Sequence, residues 1–204
     1  MSAGLFFNKV NSCRVKRMDA SDLFEKIKSL VTPKPSLPEN NSLRKAAVLV
    51  TLLVENGEAS FGLMLRADSL LKHASQISFP GGHMEKGETP AETALRETEE
   101  EIGVLQSSFE IAGHMEPVAT FTTGYLVWPV VGVLRRRPKI KLNPKEVNEF
   151  FWVPVGIFSD AKNYTHRSVI MNGEKKPRRA ILFNGYEIWG VTLRIIELLI
   201  GPVR

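Results

Sequence analysis

Glu97, Glu100 and Glu101 lie close together in an acidic run. In a helix, their i, i+3 and i+4 spacing shares one face, where like charges repel and weaken an isolated helix. Two readings follow from that helix alone. One is a solvated acidic face. The other is a divalent cation held among hard oxygen ligands, which suit Mg2+ or Mn2+. Such a cation orients a diphosphate and activates water, while a neighbouring carboxylate accepts the proton of the attacking water.

The flanking residues supply the helix this chemistry needs. Thr89-Pro90-Ala91-Glu92 combines an N-cap threonine, proline at the first helical position and a capping box, and Gly103 predicts the stop. Positions 91, 94, 95, 98 and 102 carry small or apolar residues and predict the face turned to a core. Pro80-Gly81-Gly82 predicts a turn whose backbone approaches a ligand closely.

The 204 residues, 43% hydrophobic, suffice for one well-cored domain. No apolar run reaches the length of a membrane span. Cys13 is the only cysteine, so an intramolecular disulfide framework and a thiolate zinc site are excluded, consistent with a reducing compartment. The net charge of +5, part of it from the N-terminus, is read either as ordinary solubility charge or as attraction to an anionic partner, a phosphorylated small molecule or nucleic acid. The basic runs are short and lack interleaved aromatics, which supports nucleic acid only weakly beside a phosphorylated small molecule. A homodimer is compatible with the sequence.

Residues 1–17 contain Lys9, Arg14, Lys16 and Arg17 and no acid, the composition of a mitochondrial targeting segment or a disordered basic tail. Cytoplasmic and peroxisomal locations are the alternatives. Residues 18–38 predict an amphipathic helix, with Leu23, Phe24, Ile27, Leu30 and Val31 on one side, and a proline-rich linker. Residues 39–204 form the main domain. Ala46–Val54 predicts a strand buried on both faces, returning through Asn56-Gly57 into Ser60–Leu65. Phe109–Phe121 and Tyr125–Leu134 predict two further strands. Asn143–Val147 predicts a helical turn leading into a strand over Phe150–Val153, and Pro154–Ser159 a short helix or turn. Lys175–Arg179 predicts a basic loop, Asn184-Gly185 a hairpin turn, and Val191–Ile200 an apolar helix. The order indicates an α+β fold with a mixed sheet between helices.

The spacing of Gly82, Glu88, Arg96-Glu97, Glu100-Glu101 and Gly103-Val104 resembles the Nudix box. Thr98 stands where that pattern has an aliphatic residue, and it is small enough to pack there. The resemblance implies an α-β-α sandwich and a hydrolase of phosphoanhydrides. It implies Glu97 and Glu101 as principal metal ligands, Glu100 as third ligand or base, and the Gly82 carbonyl as a further ligand. Catalytic roles fall to Glu100, Glu97 and Arg96, with Arg96 orienting the carboxylates and Glu88 supporting from outside the helix. Glu146 and Glu149 are loop candidates for the base, against the commoner reading of surface charges near a turn.

Upstream, Leu63, Arg66, Ala67 and Phe79-Pro80-Gly81-Gly82 resemble the signature of the coenzyme A diphosphatases. Gly62, Met64, Leu71 and Ser75 depart from it. The subfamily resemblance implies Arg66 and Gly81 as substrate-binding residues; Lys72, beside Leu71 where the signature has a second Arg, is a candidate substitute as a point charge, and His73 is a candidate phosphate donor against the commoner reading of a polar loop histidine. It implies cleavage of coenzyme A or acyl-CoA into 3′,5′-ADP and a phosphopantetheine part. Arg135–Arg137 and Lys175–Arg179 are candidates for the 3′-phosphate, or are solvated loops. Met84–Glu88 is closer to the general box, so NADH, ADP-ribose or a nucleoside triphosphate is the rival substrate. A nucleotide- or RNA-binding module without turnover is the remaining alternative.

Overall fold

The computed structural model describes residues 20–35, 42–67, 76–120, 124–171 and 173–201. The targeting segment, Lys72 and His73 lie outside them. The elements run α1 (Ala20–Leu30), β1 (Arg44–Glu55), β2 (Glu58–Arg66), β3 (Ile77–Ser78), β4 (Gly81–His83) and α2 (Pro90–Ile102). They continue through β5 (Glu110–His114), β6 (Val118–Ala119), β7 (Tyr125–Leu134), β8 (Val147–Pro154), β9 (Tyr164–Met171), β10 (Glu174–Phe183), β11 (Tyr186–Trp189) and α3 (Gly190–Ile200).

The central strand β1 explains the layering. It pairs parallel with β7 along one edge and antiparallel with β4 and then β2 along the other. Its apolar run alternates between two cores, because successive strand side chains point to opposite faces. Ala47, Leu49 and Leu53 pack toward α2 with Trp128 and Ile102. Val50 and Leu52 pack toward α1 and α3 with Leu23, Ile27 and Ile196. The mixed sheet therefore lies between α2 and the α1–α3 pair, the α-β-α sandwich expected. Lys26 Nζ donates to the Ile200 carbonyl and ties α1 to the end of α3. Among the described residues no helix is long and apolar enough to cross a membrane.

Both asparagine-glycine turns form as expected. Asn56 and Gly57 have φ of 54° and 76°, and Asn184 and Gly185 of 48° and 85°, the left-handed pairs that two-residue hairpins require. Two expectations change. The strand foreseen over Phe109–Phe121 is divided into β5 and β6, both paired to β7. Pro117, in the break, has no N–H to continue a ladder.

Lys175–Arg179 is not a loop but part of β10, paired residue for residue with Ile170–His166 of β9. The strand tolerates this charge because its side chains there are mostly solvent-exposed. Pro177 fits because β11 pairs only Ala180–Phe183 and leaves that part of β10 with one paired edge. β9 itself carries no strong strand pattern and forms through this pairing. The small sheet β9–β10–β11 stands beside the main one, and a cleft opens between them.

Candidate active site

α2 is built as its sequence dictates. The Thr89 hydroxyl accepts from Glu92 N, Glu92 Oε2 accepts from Thr89 N at 2.8 Å, and Gly103 caps the end at φ 69°. Thr98 is fully buried, and its hydroxyl donates to the Ala94 carbonyl at 2.6 Å, which satisfies the polar atom at an aliphatic position.

The three box carboxylates do not share one environment. Side-chain exposure is 1% for Glu101, 16% for Glu97 and 53% for Glu100. The inward face of α2 extends past the apolar stripe to include Glu101 and Thr93. Carboxylate oxygens of Glu97, Glu101 and Glu146 lie within 4.8 Å of one another, and Glu100 is not part of this group.

Glu146 reaches the cluster through its backbone. Asn143 N donates to the Glu101 carbonyl at 2.9 Å, which fastens the turn to the end of α2. Val147 N closes one helical turn on Asn143 O, and Ala67 N donates to Glu146 O at 2.9 Å. Asn143 Nδ2 then donates to Glu146 Oε1 at 3.0 Å and orients the carboxylate. Glu149 is instead taken by the Tyr186 hydroxyl, which donates to it, and lies outside the cluster.

Glu101 accepts from Gly81 N at 2.9 Å and, more weakly, from Arg66 Nη1 at 3.3 Å. Burial outweighs both and pushes its carboxyl up to about 8. Burial also raises Glu97, against the pull of Arg96. Arg66, expected on substrate, thus lies against a cluster carboxylate while still lining the cleft.

Arg96 organises the outer side. It grips Glu88 with Nε at 2.7 Å and Nη2 at 3.1 Å, and donates through Nη1 to Glu97 at 2.9 Å and Glu100 at 3.2 Å. Nη2 also donates to the His83 carbonyl at 3.2 Å. The Arg96 guanidinium, with the Thr93 hydroxyl and Glu85 amide, holds Glu88 down at about 2. Glu88 is a strut for Arg96 outside the cluster.

The Gly81-Gly82 turn is packed from both sides. A Cβ on Gly81, whose φ is 150°, would stand 2.3 Å from Ala47 O. One on Gly82 would stand 2.3 Å from the Glu97 carboxyl carbon. The close approach foreseen for these glycines is made to β1 and to Glu97.

The donor set Glu97, Glu101 and Glu146 is oxygen-only and anionic, with its innermost member almost wholly buried and faced by the Arg66 guanidinium at 3.3 Å. Three carboxylates this close suit a hard divalent cation, which relieves both their repulsion and their desolvation.

From Arg66 and Gly81-Gly82 a cleft of about 650 Å³ extends past His83 and Tyr125 to His166 and Arg178 of the small sheet. Arg179 also lines it, paired with Glu197 at 3.1 Å. Arg135 and Arg137 lie beyond the opposite end of β7, against Glu110 and Glu55, and do not line it. His83 and Tyr125 carried no signal in the sequence, because they are 42 residues apart and meet only across the sheet.

A NUDIX domain family model matches residues 43–172. The chain is 32% identical over 186 residues to the uncharacterized Nudix hydrolase NudL of Photorhabdus laumondii, covering 90% of this chain and 97% of that protein. It is 37% identical over 154 residues to Nudix hydrolase 3 of Caenorhabditis elegans, covering 72% and 64%. It is 31% identical over 167 residues to the peroxisomal coenzyme A diphosphatase NUDT7 of Mus musculus, covering 77% and 69%. A crystal structure of a MutT/nudix family protein from Enterococcus faecalis shares the fold with TM-score 0.52 at 17% identity, covering 80% of this chain and 63% of that one. A matched domain over most of the chain, relatives above 30% identity and a sandwich carrying the acidic helix together place this chain in the Nudix hydrolase family, acting on a nucleoside diphosphate-linked substrate.

Proposed function

We propose that the chain cleaves the diphosphate of coenzyme A or acyl-CoA, giving 3′,5′-ADP and the (acyl)phosphopantetheine. The observation that carries this reading is the cleft that starts at Arg66 and Gly81-Gly82, the residues set against Glu101 and Glu97 of the cluster, and ends at a wall containing His166 and Arg178. A diphosphate at the acidic end leaves room for a second anionic group at the basic end, and coenzyme A carries such a group as its 3′-phosphate. The upstream signature around Arg66 and the mouse relative support the same substrate.

In this reading Glu97, Glu101 and Glu146 hold Mg2+ or Mn2+. The cation, when bound, neutralises charge on the diphosphate and makes water a better nucleophile at neutral pH. Arg96 fixes the direction of Glu97, and Asn143 that of Glu146. Gly81 N and Arg66 hold the two oxygens of Glu101. Glu100, outside the cluster and open to solvent, is the carboxylate we assign to accept the proton of the attacking water.

Met84–Glu88 favours a second reading, in which NADH or ADP-ribose replaces coenzyme A. A panel of coenzyme A, acetyl-CoA, NADH, ADP-ribose and nucleoside triphosphates, each with Mg2+ and with Mn2+, separates the two. The expected result is the highest kcat/KM for coenzyme A or its thioester, with 3′,5′-ADP as product. Cleavage of NADH or ADP-ribose with coenzyme A untouched would overturn the assignment.

A further inference from the structure

His83 and Tyr125 form a paired group at the end of the cleft nearest the acidic cluster. Tyr125 OH and His83 Nε2 are 2.7 Å apart, and the rings lie 4.9 Å apart at 54°. Both are set by the strands that flank the start of β1. His83 pairs with Ala46, and its carbonyl receives Arg96 Nη2. Tyr125 pairs with Arg44, whose guanidinium sits 4.1 Å from the ring centroid, and its amide donates to Thr120 Oγ1 at 2.8 Å. Gly82, the residue before His83, touches the Glu97 carboxylate. Both residues line the cleft.

The pair has a property that does not depend on the histidine tautomer. If the phenol donates to Nε2, the neutral imidazole keeps an Nδ1–H. If the imidazole donates through Nε2, the phenol keeps its O–H. Either way one donor hydrogen remains beyond the mutual bond. With a guanidinium over the phenol ring and an imidazole against it, the ligand chemistry the pair offers is that of a donor rather than an aromatic platform.

We propose that His83 and Tyr125 act as one hydrogen-bond donor to a phosphate oxygen of the substrate, on the Gly82 side of the cleft. The proposal rests on the reading that the diphosphate lies beside the acidic cluster, and it does not depend on coenzyme A being the substrate.

The test uses the full chain, with His83→Ala, Tyr125→Phe and the double variant. Steady-state kinetics are measured on the best-cleaved substrate of the panel. Inhibition by inorganic pyrophosphate and by adenosine is measured beside it, with thermal melts to establish folding. Each single variant is expected to raise KM and the pyrophosphate inhibition constant about tenfold, the loss of a hydrogen bond to a charged group, because the side chain that remains loses the mutual bond that aims its donor hydrogen. The adenosine constant should stay unchanged. The double variant should lose no more than the larger single, because the two side chains share one function. An unchanged pyrophosphate constant, a rise confined to adenosine, or additive losses in the double variant would overturn the proposal. Pyrophosphate and adenosine binding can also be measured by calorimetry without turnover, so failure of the coenzyme A assignment and failure of this one give different results.

Discussion

Glu101→Gln should reduce kcat about 10²–10³-fold, the range seen when one electrostatic element of an active site is removed. Its fold should be retained or stabilised. Glu101 is almost wholly buried, receives Gly81 N and Arg66 Nη1, and stands in the cluster with Glu97 and Glu146. An amide of the same shape keeps the packing but removes the charge that a cation needs. The same burial predicts a pH signature. Without a cation, the folded carboxyl is raised from 4.5 to about 8, so between those values the folded chain holds a proton the unfolded chain has lost. Stability is therefore favoured at low pH and falls as pH rises from about 4.5 through about 8. Glu97, raised by burial as well, adds in the same direction. Thermal melts at pH 5 and pH 8 in a chelator should show this fall. Saturating Mg2+ should flatten it, and the Glu101→Gln substitution should reduce it to the part that Glu97 contributes. A Glu101→Gln enzyme with near wild-type turnover would remove the basis of the mechanism.

Gly82→Ala should leave a folded protein with roughly 10²-fold lower metal-dependent activity. The added methyl would stand 2.3 Å from the carboxyl carbon of Glu97, 2.4 Å from Oε2 and 2.5 Å from Oε1. Glu97 ends a flexible side chain and can swing away, so the main cost falls on the cluster rather than on the fold. Displacing a positioned catalytic group by about 1 Å is enough for a loss of that size. Gly81→Ala should behave differently. Its methyl meets Ala47 O and Val48 Cα, which are backbone of the central strand, at a φ of 150°. That substitution should destabilise the fold, by about 1–3 kcal/mol from the backbone conformation alone. Melting temperatures and activities of the two variants separate these effects. Equal loss of stability in both would contradict the distinct roles assigned to the two glycines.

The parts of the site legible in sequence are those with local rules. Thr89, Pro90, Glu92 and Gly103 announce α2, and each does in the structure what its position implies. Asn56-Gly57 and Asn184-Gly185 fix two hairpins because only residues tolerant of positive φ fit there. β1 reads as a strand buried on both faces because its apolar run is nearly unbroken.

The rest depends on contacts between distant segments. Helical spacing groups Glu97, Glu100 and Glu101, yet it does not say which side of that face turns inward. Packing buries Glu101 and leaves Glu100 in solvent. Glu146 joins the cluster through main-chain bonds from Asn143 to Glu101 and from Ala67 to Glu146, which leave no side-chain pattern. Lys175–Arg179 has the composition of a loop, and only its pairing with β9 makes it a strand. That pairing brings Arg178 and Arg179 to the cleft.

We assign the divalent cation to Glu97, Glu101 and Glu146 and reserve Glu100 for proton transfer. The most direct measurement is a Mn2+ titration, by calorimetry or water-proton relaxation, of the wild type, Glu146→Gln and Glu100→Gln. Glu146→Gln should weaken Mn2+ binding at least about tenfold. Glu100→Gln should bind Mn2+ within about twofold of wild type while losing turnover, as expected for a positioned base. Wild-type Mn2+ affinity in Glu146→Gln, with binding lost in Glu100→Gln, would overturn the assignment.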